Sequence, residues 1–395
     1  MRSIRTLVLA GTAVSLAACA EQGASPAAPA ERMAPVLSAA DASRAVEGQY
    51  IVVLEEGANP RSVAAVAGVS PRFVYTAALN GFSAELNEGQ LNALRHNPNV
   101  AFIEQDQEVS VAATQTGATW GLDRTDQRSL PLSTSFTYLN TGLGVNAYII
   151  DTGIRFDHVD FGGRASAAFD AVTAGGTAAD CQGHGTHVAG TVGGLTWGIA
   201  KAVTLKAVRV LDCNGSGTNS GVAAGMDWVT ANHVKPAVAN MSLGGGASTA
   251  VDAATNGMIN AGVTVVVAAG NGNIFGIAQN ACNYSPARVP NAITVGATTS
   301  TDAKASYSNY GTCLDIFAPG SSITSASHST ATGSKVLSGT SMAAPHVAGV
   351  AALHLQGSPA ATPQQVRDAL VNNSTLSKVT SAGTGSPNRL LFSAY

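Results

Sequence analysis

Two stretches decide the fold: residues 145–151, VNAYIID, and residues 183–194, GHGTHVAGTVGG. The first is a near-continuous apolar run, which is typical of a strand buried on both faces of a sheet. The second consists of small residues and opens on a histidine framed by glycines. Apolar strands and small-residue helices alternate in the same way along the rest of the chain. This pattern predicts a three-layer α/β fold with a mainly parallel central sheet.

The predicted elements of this α/β part are five strands and five helices. The strands are Val145–Ile150, Leu205–Leu211, Ala237–Ser242, Val263–Ala269 and Ala292–Val295. The helices are His184–Gly193, Ser220–His233, Ser248–Ala261, Ser341–Gln356 and Thr362–Asn372. In such sheets the functional groups lie beyond the carboxyl ends of the strands, so candidate site residues are sought there.

Residues 49–112 predict a separate, smaller α+β domain of the ferredoxin-like type. The predicted strands and helices follow the order β-α-β-β-α-β, and the central pair of strands surrounds Asn80-Gly81, a strong hairpin signal. The order is Gln49–Glu55, Pro60–Ala67, two strands within 72–86, Asn87–His96 and Asn99–Val109. Charge supports the division: residues 1–112 carry 11 acidic and 7 basic side chains, whereas residues 113–395 carry 13 and 14.

The first 19 residues are typical of an export signal, with two arginines before the apolar run Leu7–Ala18. Residues 16–19, LAAC, resemble a bacterial lipobox in which Cys19 would be lipidated, leaving the precursor anchored to a membrane. Residues 18–20, ACA, also fit ordinary signal cleavage, and Cys19 as a plain apolar residue stays open. Residues 20–48 are rich in Ala, Pro, Ser and Glu and predict a disordered linker.

Composition excludes two broad classes of protein. The 395 residues are 45% apolar and only 11% charged, which excludes a chain that is mostly disordered. The net charge of −3 provides no basic excess for nucleic acid. Four cysteines follow the export signal, Cys181, Cys213, Cys282 and Cys313, and they allow three pairings. The nearest-neighbour pairing would close loops of about thirty residues, each stabilising by roughly 3 kcal/mol.

Four residues at predicted strand ends or helix starts form a candidate active site: Asp151, His184, Asn271 and Ser341. Ser341 is the candidate nucleophile, His184 its base, and Asp151 the group that orients the imidazole. Asn271 and the Ser341 N–H are the candidate oxyanion hole. Each residue alone could equally be a cap, a turn residue or a structural histidine. Four such segments in one chain favour the catalytic interpretation.

Two alternatives from other functional classes stay open. Cys181, His184 and His187 have spacing that suggests a zinc site, although a fourth ligand with paired spacing is missing. A catalytically silent binding protein could keep the same fold. The chain order Asp…His…Ser argues against an α/β-hydrolase, and Ala343 breaks that class's G-x-S-x-G motif.

The motifs IIDTGI, GHGTHVAGT, AAGN and GTSMAAPHVAG resemble those of subtilisin-like serine peptidases of the proteinase K branch. The likeness covers residues 113–395 and is greatest to aqualysin-type secreted proteases. It implies a secreted serine endopeptidase that acts through an acyl-enzyme, and disulfides Cys181–Cys213 and Cys282–Cys313. It also implies two backbone segments that clamp an extended peptide: Gly215, Ser216, Gly217, and Ser242, Leu243, Gly244.

The resemblance further implies structural calcium and no organic cofactor. One calcium site would use the carbonyls of Pro290 and Ala292 with the Asp315 carboxylate. The second would use Asp123, Asp126, Gln127, Ser133 and Ser135. Oxygen ligands of this kind suit calcium.

Residues 49–112 resemble the subtilisin propeptide inhibitor, which implies a zymogen that cleaves itself near Ala112–Ala113. The expected partners are this propeptide and protein or peptide substrates. The mature form is expected to be a monomer without a transmembrane segment. No charged residue is evident for the specificity pocket, so a broad preference for apolar or aromatic side chains is expected. The loop 272–281 is about five residues longer than in the resembling proteins.

Overall fold

The computed structural model describes residues 33–39, 45–107, 112–393 and 395. The chain divides after Gln107 into two compact units. The predicted export signal, Cys19 and most of the segment around the expected cleavage point lie outside the described residues. Within the described ranges, no helix is long and apolar enough to cross a membrane.

The N-terminal unit is a sheet flanked by two short helices, as far as its described residues extend. Its strands are β1 (Val36–Leu37), β2 (Ala45–Leu54), β3 (Phe73–Tyr75), β4 (Gly81–Glu85) and β5 (Val100–Gln107), and its helices are α1 (Pro60–Val66) and α2 (Glu88–Arg95). The strand order is β1-β5-β2-β4-β3, antiparallel except for β1 beside β5. The predicted ferredoxin-like α+β unit is confirmed.

The central hairpin of this unit turns at a different place from the one predicted. Tyr75 pairs with Gly81, so residues 76–80 form the loop and Gly81 begins β4. The reason is close packing, because a Cβ on Gly81 would lie 2.2 Å from the Val52 carbonyl oxygen of β2. Asn80 Nδ2 donates to the carbonyls of Glu55 and Ala58 and closes the loop onto the sheet.

Part of the predicted linker 20–48 is ordered. Val36 and Leu37 pair in parallel with Ile103 and Glu104, and β2 already begins at Ala45. Ala34 is buried in the core of the unit. A strand of only two residues at the edge of a sheet is too short to show a hydrophobic periodicity in the sequence. Composition alone therefore predicts disorder for a segment that in fact pairs with β5.

The second unit contains a large sheet and three two-stranded ribbons in its described residues. In chain order its strands are β6 (Ala113–Thr116), β7 (Ser135–Tyr138), β8 (Asn146–Asp151), β9 (Ala165–Asp170), β10 (Thr204–Arg209), β11 (Ala237–Met241), β12 (Gly245–Gly246), β13 (Thr264–Ala268), β14 (Tyr284–Ser285), β15 (Ile293–Thr298), β16 (Ile316–Pro319), β17 (Ile323–Ala326), β18 (Ser334–Leu337), β19 (Thr375–Leu376) and β20 (Arg389–Leu390). The large sheet has the order β19-β20-β16-β15-β13-β11-β8-β10-β9. All its pairs are parallel except β19 with β20.

Helices cover both faces of this sheet. They are α3 (Trp120–Thr125), α4 (His184–Gly193), α5 (Asn219–Asn232), α6 (Thr249–Asn260), α7 (Thr340–Gly357) and α8 (Pro363–Asn373). Strand β8 shows the division, since Ala147 and Ile149 join the core under α4 and α7 while Tyr148 and Ile150 join the core under α5 and α6. Side chains alternate along a strand, so one apolar run serves two cores. The predicted three-layer α/β fold is confirmed.

Candidate active site

The end of β8 and the start of α4 bring Asp151 and His184 together. The Asp151 Oδ1 atom lies 2.7 Å from His184 Nδ1 and also accepts the Thr152 N–H at 2.8 Å. Asp151 is fully buried, and its Oδ2 has no hydrogen-bond partner among the described residues. Because the carboxylate can only accept, Nδ1 carries the proton, and Nε2 of a neutral His184 keeps a lone pair that can take a proton.

Asp180, which is absent from the predicted site residues, holds the first turn of α4. Gly183 at the helix N-cap has no side chain to cap the turn. The Asp180 carboxylate replaces it by accepting the N–H groups of Gly183 and Thr186 at 2.8 and 3.0 Å, with the Thr152 hydroxyl at 2.9 Å. Asp shortly before a helix start is the usual capping signal and could have identified it.

A missing side chain allows α4 to approach β8. A Cβ on Gly185 would lie 2.2 Å from the Gly153 carbonyl oxygen, so no larger residue fits there. This contact fixes the distance between the helix that carries His184 and the strand that carries Asp151.

Charge around His184 decides its protonation. Burial alone would lower the pKa of the imidazole, but the charge and hydrogen bond of Asp151, with the charge of Asp180, outweigh it and raise the pKa above its ordinary 6.5. A base whose pKa lies near the working pH is well suited to proton transfer.

Ser341 lies in the first turn of α7 and exchanges two hydrogen bonds with Ser242. The Ser341 hydroxyl donates to the Ser242 carbonyl at 3.1 Å, and the Ser242 hydroxyl donates to the Ser341 carbonyl at 2.7 Å. In a regular helix the Ser341 carbonyl would accept the N–H of residue 345, but Pro345 has none. Ser242 therefore supplies the donor that α7 lacks, and Asn240 Nδ2 holds the Ser242 hydroxyl at 2.9 Å.

Asn271 faces the same helix start. Its Oδ1 accepts the N–H and hydroxyl of Thr340 at 2.7 and 2.9 Å, which leaves Nδ2 as the outward donor. A Cβ built on Gly339 would lie 3.4 Å from Asn271 Nδ2 and 3.6 Å from the Ser341 nitrogen. The two nitrogens therefore border one space, where together they can stabilise a developing oxyanion.

Both predicted peptide-clamping segments line one cleft of about 460 Å³ together with His184. These segments are Gly215–Gly217 and Ser242–Gly244. An adjoining pocket of about 210 Å³ is lined by Ala268–Gly272 and by Ser341. Of the residues that the structure describes, no Asp, Glu, Lys or Arg lines either cavity.

Known proteins resemble the chain over both units. Residues 142–391 match the model described as the subtilase family. The chain belongs to the subtilase family. Residues 49–112 match the model described as peptidase inhibitor I9, the type of domain found as a subtilase propeptide. The protein is thus a serine-type endopeptidase with a propeptide inhibitor domain.

Individual relatives extend this likeness. An extracellular serine proteinase of Thermus sp. (strain Rt41A) is 55% identical, over 96% of this chain and 97% of the relative. Alkaline serine exoprotease A of Vibrio alginolyticus is 52% identical, over 81% of this chain and 60% of the relative. A crystal structure of a cold adapted subtilisin-like serine proteinase, 52% identical, covers 71% of this chain and 100% of that chain with a TM-score of 0.68.

The subtilase unit contains two disulfides, Cys181–Cys213 and Cys282–Cys313. The first joins the turn before His184 to the loop that leads into Gly215. It therefore ties the helix of the candidate base to one wall of the cleft. The same bond removes the thiolate that a zinc site at Cys181 would need.

One ring nitrogen of His187 is engaged by backbone carbonyl oxygens. Its Nε2 lies 3.0 Å from the carbonyl oxygens of both Ile323 and Lys335, and burial lowers its pKa to about 4. A nitrogen placed between two carbonyl oxygens donates a proton to them, so Nε2 cannot coordinate a metal. Nδ1 has no hydrogen-bond partner among the described residues, but Cys181 is bound in a disulfide and no group of three or more His, Cys, Asp or Glu side chains in those residues could hold a metal ion. The geometry therefore does not support the zinc interpretation.

The two calcium sites implied by the resemblance differ in how their carboxylates are partnered. Asp126 Oδ1 is buried with no partner in the described part of the chain, while Oδ2 accepts the Thr137 N–H at 2.6 Å. Burial, with the charge of nearby Asp123, raises the pKa of Asp126 to about 6. A buried carboxylate oxygen without a donor fits a cation. At Asp315, by contrast, both oxygens are already engaged.

The long loop after Asn271 carries exposed apolar side chains. Ile274 and Phe275 are 93% and 78% exposed. Asn309 Oδ1 accepts the N–H groups of Gly272 and Gln279 at 3.0 and 2.8 Å, so both ends of the loop are fixed beside the pocket.

The Ser242–Ser341 pair generates the first prediction. Ser242→Ala leaves the Ser341 carbonyl without a donor, and we expect kcat on a chromogenic peptide to fall about tenfold. Pro345→Ala gives residue 345 an N–H that can donate to the Ser341 carbonyl. In that background Ser242→Ala should therefore lower kcat less than about threefold. Steady-state kinetics of the four proteins measure this.

Ser374→Ala is the matched control, because the Ser374 hydroxyl also donates to a helical carbonyl, that of Val371, away from the cleft. It should leave kcat unchanged. If Ser242→Ala lowered kcat by the same factor with Pro345 and with Ala at position 345, the Ser242 hydroxyl would not be substituting for the missing helical N–H.

The second prediction concerns pH. Only neutral His184 can accept a proton, so kcat/KM should rise with pH through a midpoint above 6.5, because Asp151 and Asp180 raise the pKa of His184 above that ordinary value. Asp151→Asn removes the Asp151 contribution while burial remains, so the midpoint should move to lower pH and kcat should fall about 10⁴-fold. The exposed Asp157, paired with Arg155, serves as the control through Asp157→Asn. An unmoved midpoint in Asp151→Asn would refute the assignment.

Proposed function

We propose that the protein is an exported endopeptidase that hydrolyses peptide bonds through an acyl-enzyme on Ser341. The observation that carries the proposal is the 2.7 Å contact of His184 Nδ1 with the buried Asp151 carboxylate, beside a cleft lined by His184, Gly215–Gly217 and Ser242–Gly244. The serine-peptidase relatives support the same reaction class.

In the first step, Ser341 Oγ attacks the substrate carbonyl carbon while His184 Nε2 takes the hydroxyl proton. The Ser341 hydroxyl gives up its hydrogen bond to the Ser242 carbonyl for one to Nε2 when substrate binds. Asp151 stabilises the imidazolium, and Asn271 Nδ2 with the Ser341 N–H holds the oxyanion.

The imidazolium then protonates the leaving amine, and the C–N bond breaks to leave an ester on Ser341. Water attacks this ester while His184 again accepts a proton. Returning that proton to Ser341 Oγ releases the acid product and regenerates the site.

The substrate lies extended between Gly215–Gly217 and Ser242–Gly244, which add main-chain hydrogen bonds on each side. Main-chain contacts are indifferent to side-chain identity, so specificity is broad. The adjoining pocket has no charged lining residue within the described ranges and therefore accepts apolar or aromatic side chains.

Residues 49–112 act as the inhibitor and folding partner of residues 113–395 until self-cleavage near Ala112–Ala113. The released enzyme is extracellular and acts as a monomer. Calcium stabilises it through Asp123, Asp126, Gln127, Ser133 and Ser135, on the strength of the Asp126 Oδ1 that lacks a partner in the described part of the chain. Lipidation of Cys19, if the lipobox is used, would anchor only the precursor.

Ser341→Ala tests the self-processing. The variant has no nucleophile, so we expect a precursor that stays uncut near residue 112 and releases no peptides from casein. Immunoblotting in a protease-deficient host measures the processing, and Ser374→Ala should mature normally. Maturation of Ser341→Ala in that host would contradict self-cleavage, whereas loss of labelling by a serine-directed organophosphonate would support the nucleophile separately.

Mass spectrometry of the culture fluid tests export and cleavage together. The active enzyme should begin at or next to Ala113 and carry no lipid, because Cys19 leaves with the signal peptide under ordinary cleavage and stays with the propeptide if the lipobox is used. An active extracellular form that retains Cys19 with a lipid would overturn this order of events.

A further inference from the structure

The Asp315 carboxylate has a partner that the implied calcium site does not include. Oδ2 accepts the N–H of Thr294, the second residue of β15, at 2.8 Å. Oδ1 is paired with the Nη2 of Arg367. The Asp315 side chain is only 9% exposed, and these two contacts offset part of the cost of burying its charge, while burial still raises the pKa of its carboxyl above the ordinary value.

Arg367 reaches Asp315 from α8, a helix that is firmly attached to the fold. Val366 and Leu370 of this helix are fully buried in the core under α7. The other carboxylate near Arg367 is that of Asp368, 53% exposed, with Oδ1 at 3.8 Å from Nη1. The guanidinium therefore pairs most closely with the buried Asp315 carboxylate, and its attraction to the exposed and more distant Asp368 is weaker.

A calcium ion and the Arg367 guanidinium cannot both use Asp315 at close range. Pro290 and Ala292 would contribute only neutral carbonyl oxygens, so one carboxylate would face three positive charges. Like charges a few ångströms apart repel strongly where water is partly excluded. Calcium could enter only after Arg367 had turned away towards Asp368.

The Asp123 and Asp126 carboxylates offer the opposite arrangement. Serine and threonine groups donate to Asp123, but no lysine or arginine in the described ranges forms an ion pair with Asp123 or Asp126. Arg124, between them in sequence, pairs instead with Asp302. Here two neighbouring carboxylates have hydrogen-bond donors but no cationic partner among the residues described, and Asp126 Oδ1 has no donor among those residues.

We propose that Arg367 is the permanent counter-ion of Asp315, so that the position formed by Pro290, Ala292 and Asp315 does not bind calcium. The guanidinium does for this chain what a metal would do: it neutralises Asp315 and joins α8 to the residue that immediately precedes β16. The proposal concerns the counter-ion alone and does not depend on the catalytic roles of Asp151, His184 and Ser341.

Calcium counting tests this assignment. The mature enzyme, inactivated with a serine-directed organophosphonate to prevent autolysis, is stripped with chelator and titrated calorimetrically with calcium chloride. Arg367→Gln should bind one more calcium per chain than the unaltered enzyme. Saturating calcium should also raise the melting temperature of Arg367→Gln by about 5 °C more than it raises that of the unaltered enzyme. Arg367→Gln combined with Asp315→Asn should lose the gained ion.

Two controls separate charge from helix packing. Arg367→Lys keeps a cation and should gain no calcium. Arg389→Gln removes an arginine that donates to the Val371 carbonyl of α8 at 2.7 Å, and it too should gain none. Asp126→Asn should lose one ion, which tests the other position independently.

Two results would overturn the proposal. One is the loss of a calcium ion in Asp315→Asn alone, and the other is no gain in folded Arg367→Gln. If Arg367→Gln does not accumulate, the Asp315→Asn count decides: an unchanged number supports Arg367 as the counter-ion, and a loss of one contradicts it.

Discussion

The convergence of parallel strand ends at one edge of the sheet is the constraint on which the site depends. β8 ends at Asp151 and β13 ends three residues before Asn271, while α4 and α7 begin at His184 and Thr340. Each helix start presents N–H groups that lack helical acceptors. An edge that collects strand ends and helix starts therefore gathers a carboxylate, an imidazole, a hydroxyl and amide donors without any loop of unusual length.

Hydrogen-bond replacement keeps these groups in place. α4 has a glycine N-cap, and Asp180 provides the missing acceptor. α7 has a proline in its second turn, and the Ser242 hydroxyl provides the missing donor. In both cases a defect of the helix connects it to another segment of the site, so the irregular residue and its compensation form one unit.

Local sequence pattern predicts the regular elements, whereas contacts between segments distant in the chain escape it. Buried strands such as Val263–Ala269 and helices such as Ser341–Gln356 lie where the apolar runs placed them, within one or two residues. β16, with the sequence IFAP, is too short and ends on a proline, and it is absent from the predicted strands. Gly81 follows Asn80 and therefore predicts a turn, but in the structure it begins β4 and allows close packing against Val52 of β2. The capping role of Asp180 is visible in its position before α4, but its contact with Thr152 and that of Thr340 with Asn271 join segments distant in sequence, which no spacing reveals.

Charge is scarce in residues 113–395, so the partner of each buried carboxylate is informative. An arginine beside Asp302 fixes a fold contact, because guanidinium cannot lose its charge. An imidazole beside Asp151 gives a contact that can release and accept a proton. Asp123 has N–H and hydroxyl donors but no cationic partner in the described part of the chain, and beside it Asp126 has an oxygen with no donor there. The same functional group is thus suited to a structural tie, to orienting an imidazole or to binding a cation, depending on the groups that face it.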